Sequence, residues 1–145
     1  MTNFIVVDFN VKEYRTSNFE YLERANVESV TAFINRDVLM YTNDIEKHEI
    51  TKFEKIKLQA YNYGIDLRIV DIDITTAISL HIFACSGSHN NILAERMGFR
   101  RNILVIVEDI EKYKNIEKYL EEYTNINITL CDSKSCFERW IEKTK

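Results

Sequence analysis

Short, almost wholly apolar runs alternate along the chain with stretches whose apolar residues recur every three or four positions. Five of the runs predict strands: Asn3–Phe9, Asp37–Thr42, Ile65–Val70, Ile103–Val107 and Ile126–Leu130. They are rich in Ile, Val, Leu and Phe, and several are apolar at nearly every position. A strand of that kind must be covered on both faces, as the strands of a parallel sheet are.

The stretches between them read as helices with recognisable ends. Ser17 and Glu20 have the spacing of a capping box ahead of a stripe formed by Val27, Val30, Phe33 and Ile34. Asn43 and Glu46 repeat it before Ile50, Phe53, Ile56, Leu58 and Tyr61, and Gly64 stands where a helix end favours a left-handed residue. Asp73 precedes a helix over Ile74–Ala84, and a shorter one over Asn90–Met97 stops at Gly98. Asp109 opens the stripe Tyr113, Ile116 and Leu120; Ser133 opens Cys136, Phe137, Trp140 and Ile141. Five successive β-α units with right-handed crossovers predict one α/β domain over residues 1–145. Its expected form is a Rossmann-like three-layer α/β/α sandwich on a five-stranded, mainly parallel sheet.

Composition changes this picture in a few respects. A chain of 145 residues can bury a substantial core. A net charge of -4 argues against a broadly basic nucleic-acid wrapper. It leaves room for an enzyme that grips phosphates locally and screens its own carboxylates with metal ions. No apolar run approaches the ~18 residues of a membrane helix, and no basic segment followed by an apolar core opens the chain, so neither membrane nor export is expected. The three cysteines, Cys85, Cys131 and Cys136, cannot all pair, and reduced thiols in a cytoplasm are the expectation. Proline is absent, so Asn, Asp and Ser must make the turns.

Acidic residues gather at one predicted edge. Asp8 ends the first strand, Asp44 follows the second, Asp71 and Asp73 the third, Glu108 and Asp109 the fourth, and Asp132 the fifth. In a parallel sheet those ends share the edge where such folds bind ligands. Carboxylates crowded there call for a cation, Mg²⁺ or Mn²⁺. A plainer explanation competes, because Asp is a favoured N-cap and each strand precedes a helix. Capping is the simpler account of Asp44, Asp109 and Asp132. It fits Asp8 less well, since the next evident cap is Ser17.

The first strand ends in "VVDFN", which resembles the start of PIN and NYN nuclease domains, where an apolar strand ends in Asp-x-Asn. "DIDITTAISLHIFA" is similar to the helix that carries a second acid there, and "ILVIVEDIEKYKNIEKYL" to the unit that carries a third. The resemblance implies metal-dependent RNA cleavage, with Asp8, Asp73 and Asp109 as metal-holding catalytic carboxylates and Asn10 orienting the first. The chain departs from the pattern after the fourth strand, where Val107-Glu108-Asp109 replaces a Ser/Thr-x-Asp turn. Glu46, Glu49 and Glu54 compete for the mid-chain acid.

Two further stretches bear on phosphate. "FACSGSHNN" offers Ser86 and Ser88 as donors to an anion, and "MGFRR" clusters Arg96, Arg100 and Arg101 where an RNA backbone could rest. A flexible connection and a solvated turn are the plainer readings of each. His81 reads as a packed or surface helix residue. Eight tyrosines on an acidic chain support a different class, a non-catalytic immunity, inhibitor or regulatory protein that binds a protein partner through its surface.

Overall fold

The computed structural model describes residues 2–16, 27–41, 57–58, 60–85, 96–98, 100–122, 125–132, 138–139 and 142. The strands are β1 (Thr2–Asp8), β2 (Ser29–Asn35), β3 (Ile65–Val70), β4 (Arg101–Ile106) and β5 (Ile126–Cys131). The helices are α1 (Lys12–Thr16), α2 (Arg36–Tyr41), α3 (Ile74–Cys85) and α4 (Lys114–Leu120), the last preceded by a 3₁₀ turn, Ile110–Tyr113. All four strand pairings are parallel, in the order β3-β2-β1-β4-β5. The architecture is therefore the expected three-layer, Rossmann-like α/β fold. Residues 57–58 and 60–62 are also helical, and Gly64 follows them with φ +69°, the left-handed position predicted for it.

The second strand lies earlier than the hydrophobic pattern suggests. Ser29–Asn35, expected as the end of a helix, is β2, and the expected strand Asp37–Thr42 is helical from Arg36 to Tyr41. The apolar residues of "SVTAFIN" satisfy a helical stripe and a buried strand equally, because burial on both faces erases the period of two. The side chains settle it by facing opposite ways. Val30, Ala32 and Ile34 pack with Ile5, Val7, Leu104 and Ile106 on one face of the sheet. Phe33 points to the other, where Val6, Ile103 and Val105 meet Ala77, Ile78 and Ile82 of α3 and Ile116 and Leu120 of α4. Asp44, Ser17, Glu20, Asn43 and Glu46 lie outside the described residues.

Side-chain amides pin the register at the N-terminal edge. Asn3 and Asn102 are neighbours across β1 and β4, both buried, and Asn102 Nδ2 donates to Asn3 Oδ1 at 3.0 Å. A buried amide left unpaired costs more than this bond returns, so the pair favours one register. At the other edge Cys131 is buried and disulfide-bonded, which overturns the expectation of reduced thiols for that residue. Among the described residues no helix is long and apolar enough to cross a membrane.

The placement of β2 is checked by Ile34, which has no exposure to solvent. Ile34→Ala should cost about 2–5 kcal/mol in urea unfolding. A change within about 0.5 kcal/mol, as for a surface position, would place this segment elsewhere.

Candidate functional site

Chain order and strand order together locate a crevice. From β1 the chain steps to β2 and β3 on one side, then returns across β1 to β4 and β5 on the other. The order reverses between β1 and β4, and ligands of open α/β sheets bind outside the strand C-termini at such a reversal. Asp8 is the last residue of β1, and Val107 and Glu108 follow the end of β4. The two acids flank that position from its two sides.

Asp8 is only 7% exposed. Among the described residues its carboxylate accepts one hydrogen bond, at Oδ1 from the backbone N–H of Asn10, 2.9 Å away. A short helix does begin at Lys12, closer than Ser17, yet the Asp8 carboxylate bonds a turn amide and not a helix amide. Capping does not account for it. Burial raises its pKa above the ordinary carboxylate value; the Asn10 amide opposes this, Glu108 and Asp73 add to it, and Lys112 opposes it. Charge at Asp8 is thus disfavoured by the fold around it.

Two phenols close on the same place. Tyr14 of α1 donates from its hydroxyl to the Val107 carbonyl at 3.1 Å. Its pKa is pushed up to about 12, first by burial, then by the charges of Asp132, Glu108 and Asp8. Tyr113, 2% exposed, is also raised to about 12 by burial, with Asp8, Asp73 and Asp109 contributing and the neighbouring Thr75 hydroxyl opposing. The Tyr113 and Thr75 side chains adjoin in a geometry too poor for a hydrogen bond. Both phenols therefore stay protonated and report the negative field of this edge.

The other nominated residues divide. Asp73 accepts from Thr76 N–H at 3.1 Å and Thr76 Oγ1 at 3.4 Å through Oδ2, so it caps α3. Asp109 accepts from Glu111 N–H at 3.2 Å and caps the 3₁₀ turn. Asn10 acts on Asp8 through its backbone; its side chain is engaged by Asn35, with Nδ2 donating to Asn35 Oδ1 at 2.8 Å. Arg101 opens β4 at the opposite edge, on the order of 17 Å or more from the carboxylates at ~3.3 Å per strand residue. Arg100 immediately precedes it, so Arg100 and Arg101 do not line the crevice; Arg96 is exposed. Ser86 and Ser88 lie outside the described residues. His81 is a helix residue, edge-on to Phe33 with ring centroids 5.3 Å apart and Arg68 beside it; burial first, then Arg68, lowers its pKa.

Among the described residues no three His, Cys, Asp or Glu side chains are grouped closely enough to hold a metal ion by themselves. Asp8, Asp73 and Asp109 are thus not gathered as a three-ligand cage. Mg²⁺ rarely asks for one, keeping several waters and taking one or two carboxylates plus substrate phosphate. Asp8, with one oxygen left over from the Asn10 amide, and the exposed Glu108 are the two carboxylates that could meet that smaller demand. Glu108, Lys112 and Asn35 are the neighbours that motif reading passed over. Glu108 stood beside the favoured Asp109, and Asn35 was hidden by the misplaced second strand.

The fold and this edge define a Rossmann-like α/β domain with acidic residues at its switch point. Comparison with known proteins finds no matching family model, curated protein or solved structure.

A group whose folded pKa is raised weakens the fold where it is ionised. For Asp8 that cost is full above the folded pKa and fades as pH falls through it towards 3.8. Asp8→Asn should therefore stabilise the protein to urea at pH 7, with the gain shrinking as the pH approaches 4. A loss of stability at pH 7 would show the carboxylate to be structural.

Proposed function

We propose that the switch-point edge binds a divalent cation, Mg²⁺ or Mn²⁺, and that the protein is a metal-dependent phosphodiesterase acting on RNA. The observation that carries this reading is Asp8: a buried carboxylate, disfavoured as an ion by its surroundings, that caps no helix and feels the charge of Glu108 at the sheet's point of reversal. Natural folds keep such a destabilising charge chiefly where function needs it. In this proposal Asp8 and Glu108 hold the ion, with water and substrate phosphate completing its shell. The ion would activate water and steady the leaving oxygen of a phosphodiester. Lys112, whose charge already acts on Asp8, is the nearby cation for a phosphate, in the place first given to Arg96, Arg100 and Arg101. The resemblance of "VVDFN" to PIN and NYN domains supports the same activity. The proposed location is the cytoplasm; the disulfide at Cys131 is the observation that speaks against a reducing compartment.

A second reading, a non-catalytic domain that binds a protein partner, has its own support. α3 carries no charged residue and exposes Leu80 and Phe83, with Phe83 edge-on to Tyr119 of α4 at 5.1 Å. Tyr61 is 81% exposed. Aromatic and apolar surface of this kind suits an interface.

Cleavage of single-stranded RNA with and without Mn²⁺ separates the two. The proposal expects Mn²⁺-dependent cleavage that falls by about 100-fold or more in Asp8→Asn, as when a group stabilising developing charge is removed. Asp109→Ala should retain the activity and lose only about 0.5–2 kcal/mol of stability, as a cap. No cleavage by the wild type, or cleavage unaffected by Asp8→Asn, would sink the nuclease reading.

A further inference from the structure

Asn35 ends β2 and makes four hydrogen bonds, beyond those of the strand ladder, to three residues in two segments. Its backbone N–H donates to Asn10 Oδ1 at 2.9 Å, and its side-chain oxygen accepts from Asn10 Nδ2 at 2.8 Å. Its side-chain Nδ2 donates to the carbonyls of Val70 at 3.2 Å and Ile72 at 2.6 Å. Asn10, fixed by both ends of its amide, presents its own backbone N–H to Asp8 Oδ1. A continuous chain of hydrogen bonds thus runs from the end of β3, through Asn35 and Asn10, to the carboxylate of Asp8.

We propose that Asn35 is a positioning residue for Asp8, acting through Asn10 to hold the turn after β1 and the Asp73 cap in one frame. The proposal rests on reading the Asp8 edge as the functional site. The reach of Asn35 into both partners is what makes the frame. Ile72 adjoins Asp73, so the same side chain that clamps Asn10 also anchors the start of α3. The chemistry demands an amide of this length. Asp could accept from Asn10 but could not donate to two carbonyls, and an aliphatic residue could do neither. Strand pairing puts Asn35 opposite Val70, and both hydrogen bonds from Asn35 to Asn10 run through the Asn10 side chain.

A merely structural Asn35 would lower stability and leave folded molecules unchanged at Asp8. A positioning Asn35 changes the Asn10 amide itself. In ¹⁵N-resolved hydrogen exchange at matched fractions folded, Asn35→Ala should speed exchange of the position 10 amide by about tenfold or more. Mn²⁺ affinity should fall by about tenfold, in the range seen when the supports of a metal ligand are removed. Asn10→Ala breaks both clasp bonds while leaving Asn35 on Val70 and Ile72, and it should produce the same two changes. The double variant should be no worse than either single one, because both act along one chain. Unchanged exchange at position 10, or additive losses, would overturn the proposal. If Asn35→Ala does not fold, Asn10→Ala decides alone. Should the wild type bind no Mn²⁺, the ion reading fails, and the exchange measurement still tests the clasp.

Discussion

A carboxylate held out of water at the end of the central strand is the constraint around which the described structure is arranged. β1 is hydrogen-bonded on both sides and buried on both faces, so its last side chain cannot turn freely to solvent. Asp8 at that position receives one amide and a ring of further charges, and burial outweighs the help of the amide. The strand that organises the sheet therefore ends in its least comfortable group. A Val or Asn there would be easier to fold. That the chain carries an acid instead is the reason to look for a ligand whose charge would make the acid comfortable.

The neighbours show how capping and chemistry separate on one edge. Asp73 and Asp109 look equivalent to Asp8 in sequence, each an acid after a strand. Each spends an oxygen on the amides that open its own helical element, which fully motivates an acid there. Asp8 has no such occupation, and the exposed Glu108 adds a like charge from the far side of the reversal. The edge is therefore not a uniform ring of ligands. It is one buried acid with two partial companions and two phenols, Tyr14 and Tyr113, held protonated first by burial and then by the nearby acids.

Much of the fold was legible because parallel strands buried on both faces leave continuous apolar runs, as in "FIVVD" and "NILVIV". The same feature hid β2: once both faces are apolar, "SVTAFIN" has no alternation to separate it from a helical stripe. The error carried into the site. With β2 misplaced, its end was assigned to Asp44 and the amide at Asn35 went unseen. Asp8 could be singled out in advance because capping explained it poorly. The choice of Asp109 over Glu108 could not be made from "VED" alone, since it depends on which carboxylate the 3₁₀ turn recruits.

Mn²⁺ titrated into ¹⁵N-labelled protein tests the central claim most directly, because a bound paramagnetic ion broadens the amide resonances nearest to it. The account predicts that the amides of Asp8, Asn10 and Glu108 broaden first and that Asp8→Asn abolishes the effect. Those at the far edge, around Asn3 and Asn102, should stay sharp. Broadening that is uniform, centred elsewhere or unchanged in Asp8→Asn would contradict a cation site at the end of β1.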